Sequence, residues 1–138
     1  MALRKNMKIE LLKRVPLFSQ CSKKELAEIA AVADEIDLNE GRELTRQGAP
    51  GREFFVLVEG QADVRRNSRK VRTLTDGDFF GEIALVTDRP RTATVVATTP
   101  VRLLVVTDRA FRHMLEESPT MQLKVMQTLA DRISGDNL

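Results

Sequence analysis

Between residues 34 and 106 the sequence breaks into short β-rich runs, at 34–38, 43–46, 53–59, 61–66, 70–75, 92–98 and 101–106. Turn signals separate them: Asn39-Glu40-Gly41, Gly48-Ala49-Pro50-Gly51, Glu59-Gly60, Asn67-Ser68, Asp76-Gly77-Asp78 and Thr99-Pro100. Strands spaced this regularly, with no helix between most of them, argue for an antiparallel sandwich, barrel or jelly roll. Phe54-Phe55-Val56-Leu57-Val58 is apolar at consecutive positions, so this strand is expected in the interior with both faces covered. The length, 138 residues, fits one compact domain, 1–138, able to bury a core without disulfide or metal.

Both ends read as helical. Ile9, Leu11 and Leu12 mark a short amphipathic helix over 7–15, broken by Pro16, with Leu17 and Phe18 as core anchors. Ser22-Lys23-Lys24-Glu25 has the form of a capping box and opens a helix carrying Leu26, Ile29, Ala30 and Ala33. Near the other end, Asp108 is placed to cap a helix bearing Phe111, Met114 and Leu115. Ser118-Pro119 starts another, expected over 120–134, with Met121, Val125, Leu129 and Ile133 four residues apart. The expected class is α+β, mainly β: an antiparallel β-roll or jelly roll (34–107) with N-terminal helices (7–33) and C-terminal helices (108–134).

Composition narrows the function. A single cysteine, Cys21, forms no internal disulfide, which predicts an intracellular, cytoplasmic protein. The single histidine, His113, excludes a metal site built on several imidazoles. There is no Trp or Tyr, and 22 basic residues balance 20 acidic ones, so no direct nucleic-acid partner is expected. The basic run Arg65-Arg66-Asn67-Ser68-Arg69-Lys70-Val71-Arg72 falls on a predicted hairpin and reads as a solvated tip that protects an edge. The longest apolar runs are far short of a bilayer span, so no membrane element is expected.

One stretch departs from the strand pattern. Gly77 to Ala93 holds a glycine-flanked piece with helix formers at 82–85. A short helix opening after Gly81 presents unpaired N–H groups at its first turn, which favours an anion. Gly81 lets that anion approach the backbone, and Arg91 supplies a planar fork for two oxygens of one phosphate. Glu82 is an acceptor suited to a ribose hydroxyl. Thr92 adds a hydroxyl beside the guanidinium, and Ala93 keeps the wall small.

Phe80-Gly81-Glu82-Ile83-Ala84-Leu85, followed by Arg91-Thr92-Ala93, closely resembles the phosphate-binding cassette of cyclic nucleotide-binding domains. Gly48-Ala49-Pro50-Gly51 with Phe54 to Gly60 resembles that family's paired-glycine turn and strand, and Val15-Pro16-Leu17-Phe18 its N-terminal helical lead-in. The likeness covers roughly residues 8–134. It implies a cyclic nucleotide inside the roll, with Glu82 on the ribose 2′-hydroxyl and Arg91 on the cyclic phosphate. The amides of Ala84 and its neighbours, with Gly81, complete the cradle. Thr92 falls where some members contact the base, and Ala93 at the small residue that closes the cassette. The last helix implies a lid, with Leu129, Arg132 and Ile133 as candidate capping side chains.

The expected function is therefore a regulatory domain that senses cyclic AMP in preference to cyclic GMP, with no catalytic residues, metal or cofactor, and passes occupancy to an effector outside this chain. A threonine after the cassette arginine occurs in members of both preferences, so the base stays open. A metalloenzyme on a cupin-like roll is disfavoured by the single histidine. A ligand-free interaction domain is disfavoured because the cassette arginine and glutamate are both present. DNA-binding members carry a helix-turn-helix after the long helix, and this sequence stops at Leu138. The expectation is a free-standing sensor or a fragment, and a monomer.

Overall fold

A computed structural model of the chain describes residues 3–136, with side chains described from 3 to 131. Four helices and eight antiparallel strands follow the expected order of helices, roll and helices. Contacts divide the chain into a helical unit, 1–32 with 110–138, and a strand unit, 33–109.

In the helical unit, α1 (Lys5–Lys13) turns Ile9 and Leu12 to the interior. It ends two residues earlier than its apolar pattern predicts. Val15 precedes Pro16 and is held extended, because a proline clashes with a helical residue before it. Pro16–Phe18 form a single 3-10 turn that buries Leu17 and Phe18. Phe18 packs on Phe111 with ring centroids 5.6 Å apart. The capping box forms as the sequence predicts at the start of α2 (Lys23–Val32). The Glu25 N–H donates to Ser22 Oγ at 3.2 Å, and the Ser22 N–H donates to Glu25 Oε1 at 2.8 Å. Burial alone would push the Glu25 carboxyl up, but the ammonium of Lys124 and the Ser22 donors outweigh it and hold it below the usual range. Ser22→Ala is expected to cost about 1 kcal/mol. Chemical denaturation reads this directly, and an unchanged midpoint would contradict the cap.

The later helices are α3 (Asp108–Glu116) and α4 (Pro119–Asp136). Asp108 is the first residue of α3, where its carboxylate accepts the Arg109 N–H at 2.7 Å. Pro119 stands at the first position of α4, and Ser118 Oγ accepts the Met121 N–H. Among the described residues no helix is long and apolar enough to cross a membrane.

The strand unit holds β1 (Asp34–Leu38), β2 (Glu43–Thr45), β3 (Glu53–Glu59), β4 (Ala62–Arg66), β5 (Arg69–Leu74), β6 (Phe79–Phe80), β7 (Thr94–Ala97) and β8 (Val101–Thr107). They form two four-stranded sheets, β1-β8-β3-β6 and β2-β7-β4-β5. β3 lies inside its sheet, and Phe54, Phe55, Val56 and Leu57 are all buried, as their unbroken apolar run requires. Facing residues of both sheets, among them Phe55, Leu57, Val64, Leu74, Val95 and Leu103, share one core.

Two strands differ from the sequence reading. β6 is only two residues long and pairs Phe80 with Phe55, too short to show an alternating pattern. β7 begins at Thr94, two residues late, because Arg91 and Thr92 are tied elsewhere. Arg91 exchanges two backbone hydrogen bonds with Gly48 and Ala49, and Thr92 O accepts Arg66 Nε at 3.1 Å. The β4–β5 hairpin turns through Asn67 and Ser68, at φ 53° and 66°. Two left-handed residues match the twist of a tight hairpin.

Candidate functional site

Gly81 begins the site. At φ 81° it is left-handed, and it caps a single 3-10 turn, Glu82–Leu85, packed on β3. The short helix predicted here is thus one turn. Ala84 donates its N–H back to Gly81 O at 3.1 Å, so that amide is already engaged. A turn of this kind leaves the N–H groups of Glu82 and Ile83 without an acceptor inside the turn.

Arg91 sits across from this turn. Its guanidinium runs between two glycines, and no other residue leaves room for it. A methyl group on Gly51 would stand 2.6 Å from both Cδ and Cζ of Arg91, and one on Gly81 would stand 2.5 Å from Nη1. Nη2 donates to the Glu53 carbonyl oxygen at 2.7 Å, with the Glu53 carboxylate at 3.9 Å. The guanidinium also lies over the Phe55 ring, 5.8 Å from its centroid, and Phe55 stacks on Phe80 at 4.9 Å. The arginine side chain is only 10% exposed. Burial pulls its pKa down and the Glu53 carboxylate acts against that, but an arginine stays charged in either case.

These groups open on a cavity of about 370 Å³ within the strand unit. Val64, Leu74 and Val95 give it an apolar floor, Phe79 and Phe80 one wall. Gly81, Glu82, Arg91 and Thr92 supply a polar side, with the small Ala93 beside them. The size suits a small molecule with one buried anionic group and an apolar body.

Of the residues predicted from sequence, Phe80, Gly81, Glu82, Arg91, Thr92 and Ala93 all line this cavity. Ile83, Ala84 and Leu85 do not. Ile83 is 40% exposed, while Ala84 and Leu85 are buried. Their side chains fix the turn; only backbone groups there can serve a ligand. Among the lid candidates, Leu129 is half-buried on α4, and the side chains of Arg132 and Ile133 lie outside the described residues.

The sequence reading missed other wall residues. Arg66 and Arg72, read as a solvated hairpin tip, both line the cavity, as do Thr45 and Asp78. Strand parity held the signal for the arginines. Arg66 lies two residues from buried Val64, and Arg72 two residues from buried Leu74, on the same faces. Gly51 belongs to a turn signal in the sequence, and in the structure it also makes space for Arg91.

Other reactive groups are elsewhere. Burial, with the Glu25 carboxylate adding to it, pushes the Cys21 thiol up to about 11. His113 is exposed, 3.5 Å from Glu117. Among the described residues no group of three or more His, Cys, Asp or Glu is placed to hold a metal.

The sequence profile described as "Cyclic nucleotide-binding domain" matches residues 35–118, which span both sheets and the whole cavity wall. The chain belongs to the cyclic nucleotide-binding domain family. A cAMP-dependent protein kinase regulatory subunit of Mycosarcoma maydis is 43% identical over 113 residues, covering 73% of this chain and 21% of that protein. The chain spans 21% to 29% of the length of the first two kinase regulatory subunits it matches. Two solved structures share the fold. The N-terminal domain of a transcriptional regulator from Streptomyces coelicolor A3(2) superposes with a TM-score of 0.85 at 29% identity, covering 92% of this chain and 94% of that one. A cyclic nucleotide-binding-like protein from Brucella abortus gives 0.74 at 26% identity, covering 80% and 98%. The chain is thus similar, over this family's domain, to part of the kinase regulatory subunits.

Proposed function

We propose that the cavity takes cyclic AMP in preference to cyclic GMP, and that the chain reports its occupancy to an effector. The observation that carries this reading is the Arg91 slot: one nearly buried cation, held between two glycines, at the edge of a cavity of about 370 Å³ with an apolar floor. A cyclic phosphodiester carries one permanent negative charge, which costs several kcal/mol to bury unpaired. Arg91 neutralises that charge, and the N–H groups of Glu82 and Ile83 donate to its oxygens. The Glu82 carboxylate accepts the ribose 2′-hydroxyl. Val64, Leu74 and Val95 take the apolar faces of sugar and base. No group here has to break a bond, and the chain acts by binding alone.

The base preference rests on the relatives, which are described as cAMP-dependent. Thr92, beside Arg91, is the residue assigned to the base. Occupancy is passed on through α4, which binds best to the loaded state and so shifts the population towards it. The resemblance offers Leu129, Arg132 and Ile133 of that helix as candidate capping side chains, of which the last two lie outside the described side chains. The effector lies outside this chain, and a kinase catalytic subunit is the class the relatives suggest. Titration of wild type and Thr92→Ala with both nucleotides is the test. Tighter cyclic AMP binding supports the reading. Tighter cyclic GMP binding that Thr92→Ala abolishes would reverse the base assignment.

A further inference from the structure

Arg91 separates two cavities. On one side lies the nucleotide cavity. On the other is a space of about 300 Å³, lined by Glu43, Arg46, Pro50, Glu53 and Arg91. Glu53 lines this second space and is not among the residues that line the nucleotide cavity.

The two contacts Glu53 makes with Arg91 have different meanings. The short one, 2.7 Å, comes from the backbone carbonyl and survives any change of side chain. The carboxylate stands at 3.9 Å, beyond hydrogen-bond range, and its side chain is 45% exposed. Arg91 is therefore placed by the Glu53 backbone, by the Gly51–Gly81 slot and by the Phe55 ring. The carboxylate is not needed to position it. What the carboxylate adds is charge: a second anion on the one guanidinium that faces the phosphate.

We propose that Glu53 is an affinity-setting residue, whose carboxylate offsets part of the field of Arg91 and keeps the cyclic nucleotide readily released. This rests on the reading of Arg91 as the phosphate partner. With ligand bound, the guanidinium shares its single positive charge between the phosphate and the Glu53 carboxylate, and the two anions repel. The repulsion acts across a partly solvated gap, so it is modest and screened by salt. A sensor gains from it, because faster release lets occupancy follow a falling concentration of ligand.

The test is a titration of the whole chain with cyclic AMP, together with dissociation kinetics, for wild type, Glu53→Gln and Arg91→Ala. Glu53→Gln keeps shape and backbone while removing the charge. It is expected to bind about two- to five-fold tighter, mainly through slower release, with the gain shrinking as salt is raised. Damage to the fold cannot imitate a gain in affinity. If Arg91→Ala loses binding and Glu53→Gln binds no tighter than wild type, the role given to Glu53 is wrong and the site stands. If Arg91→Ala binds like wild type, the phosphate assignment falls, and this inference with it.

Discussion

Arg91→Ala is expected to weaken cyclic nucleotide binding by about 2–5 kcal/mol, the range for truncating one partner of a buried charge pair. The size follows from the surroundings. The guanidinium is 10% exposed and wedged between Gly51 and Gly81, so water cannot replace it at the phosphate. The turn at 82–85 offers two N–H groups but no positive charge, and Arg66 and Arg72 sit on strands of the other sheet. Arg91→Lys should recover only part of the loss, because an ammonium lacks the fork that reaches Glu53 O and two phosphate oxygens together. The fold should survive both changes, since Arg91's backbone bonds to Gly48 and Ala49 remain. Isothermal titration with a parallel melting curve separates affinity from stability. An Arg91→Ala protein with wild-type affinity would remove the basis of the site.

Gly51→Ala carries the second large effect, and it comes from a residue with no polar group. An added Cβ would overlap the Arg91 side chain, whose Nε, Cδ and Cζ are its three nearest atoms. The far end of arginine is flexible, so the chain relieves the clash by moving the guanidinium rather than its backbone. Gly51 is not left-handed, so alanine introduces no backbone strain. The melting temperature should stay close to wild type while binding falls by about 1.5–3 kcal/mol, the worth of hydrogen bonds made by a charged group. A Gly51→Ala protein that melts early and binds normally would show that this glycine serves the fold instead. Gly81→Ala would not separate the two effects, because φ 81° strains any other residue there.

Most of the fold was legible because its signals are local. Pro16, the Ser22-Glu25 box and Ser118-Pro119 each act within four residues, and each lands where the sequence places it. Seven of the eight strands were visible from turn residues and apolar runs. β6 was not, because two phenylalanines carry no period. The early start of β7 in the sequence reading has a different cause. Thr92 and Ala93 are good strand residues, but Arg91's bonds to Gly48 and Ala49 and Thr92's bond to Arg66 are long-range, and local propensity cannot register them. Within the site, the cassette residues with exposed chemistry were legible as a spaced group. Gly51, Arg66 and Arg72 were not, since they reach the cavity only when distant strands meet. The basic hairpin reads as a solvated tip and is exposed throughout 65–73, yet two of its arginines, Arg66 and Arg72, also border the cavity.

One cyclic nucleotide is expected to bind in the strand unit with its phosphate on Arg91. Calorimetric titration of the intact chain with cyclic AMP and cyclic GMP, run beside Arg91→Ala, tests it most directly. Wild type should bind one nucleotide per chain saturably, and Arg91→Ala should lose that binding at an unchanged melting temperature. Absence of heat and of any melting shift with both nucleotides for wild type, or equal binding by the two proteins, would contradict it.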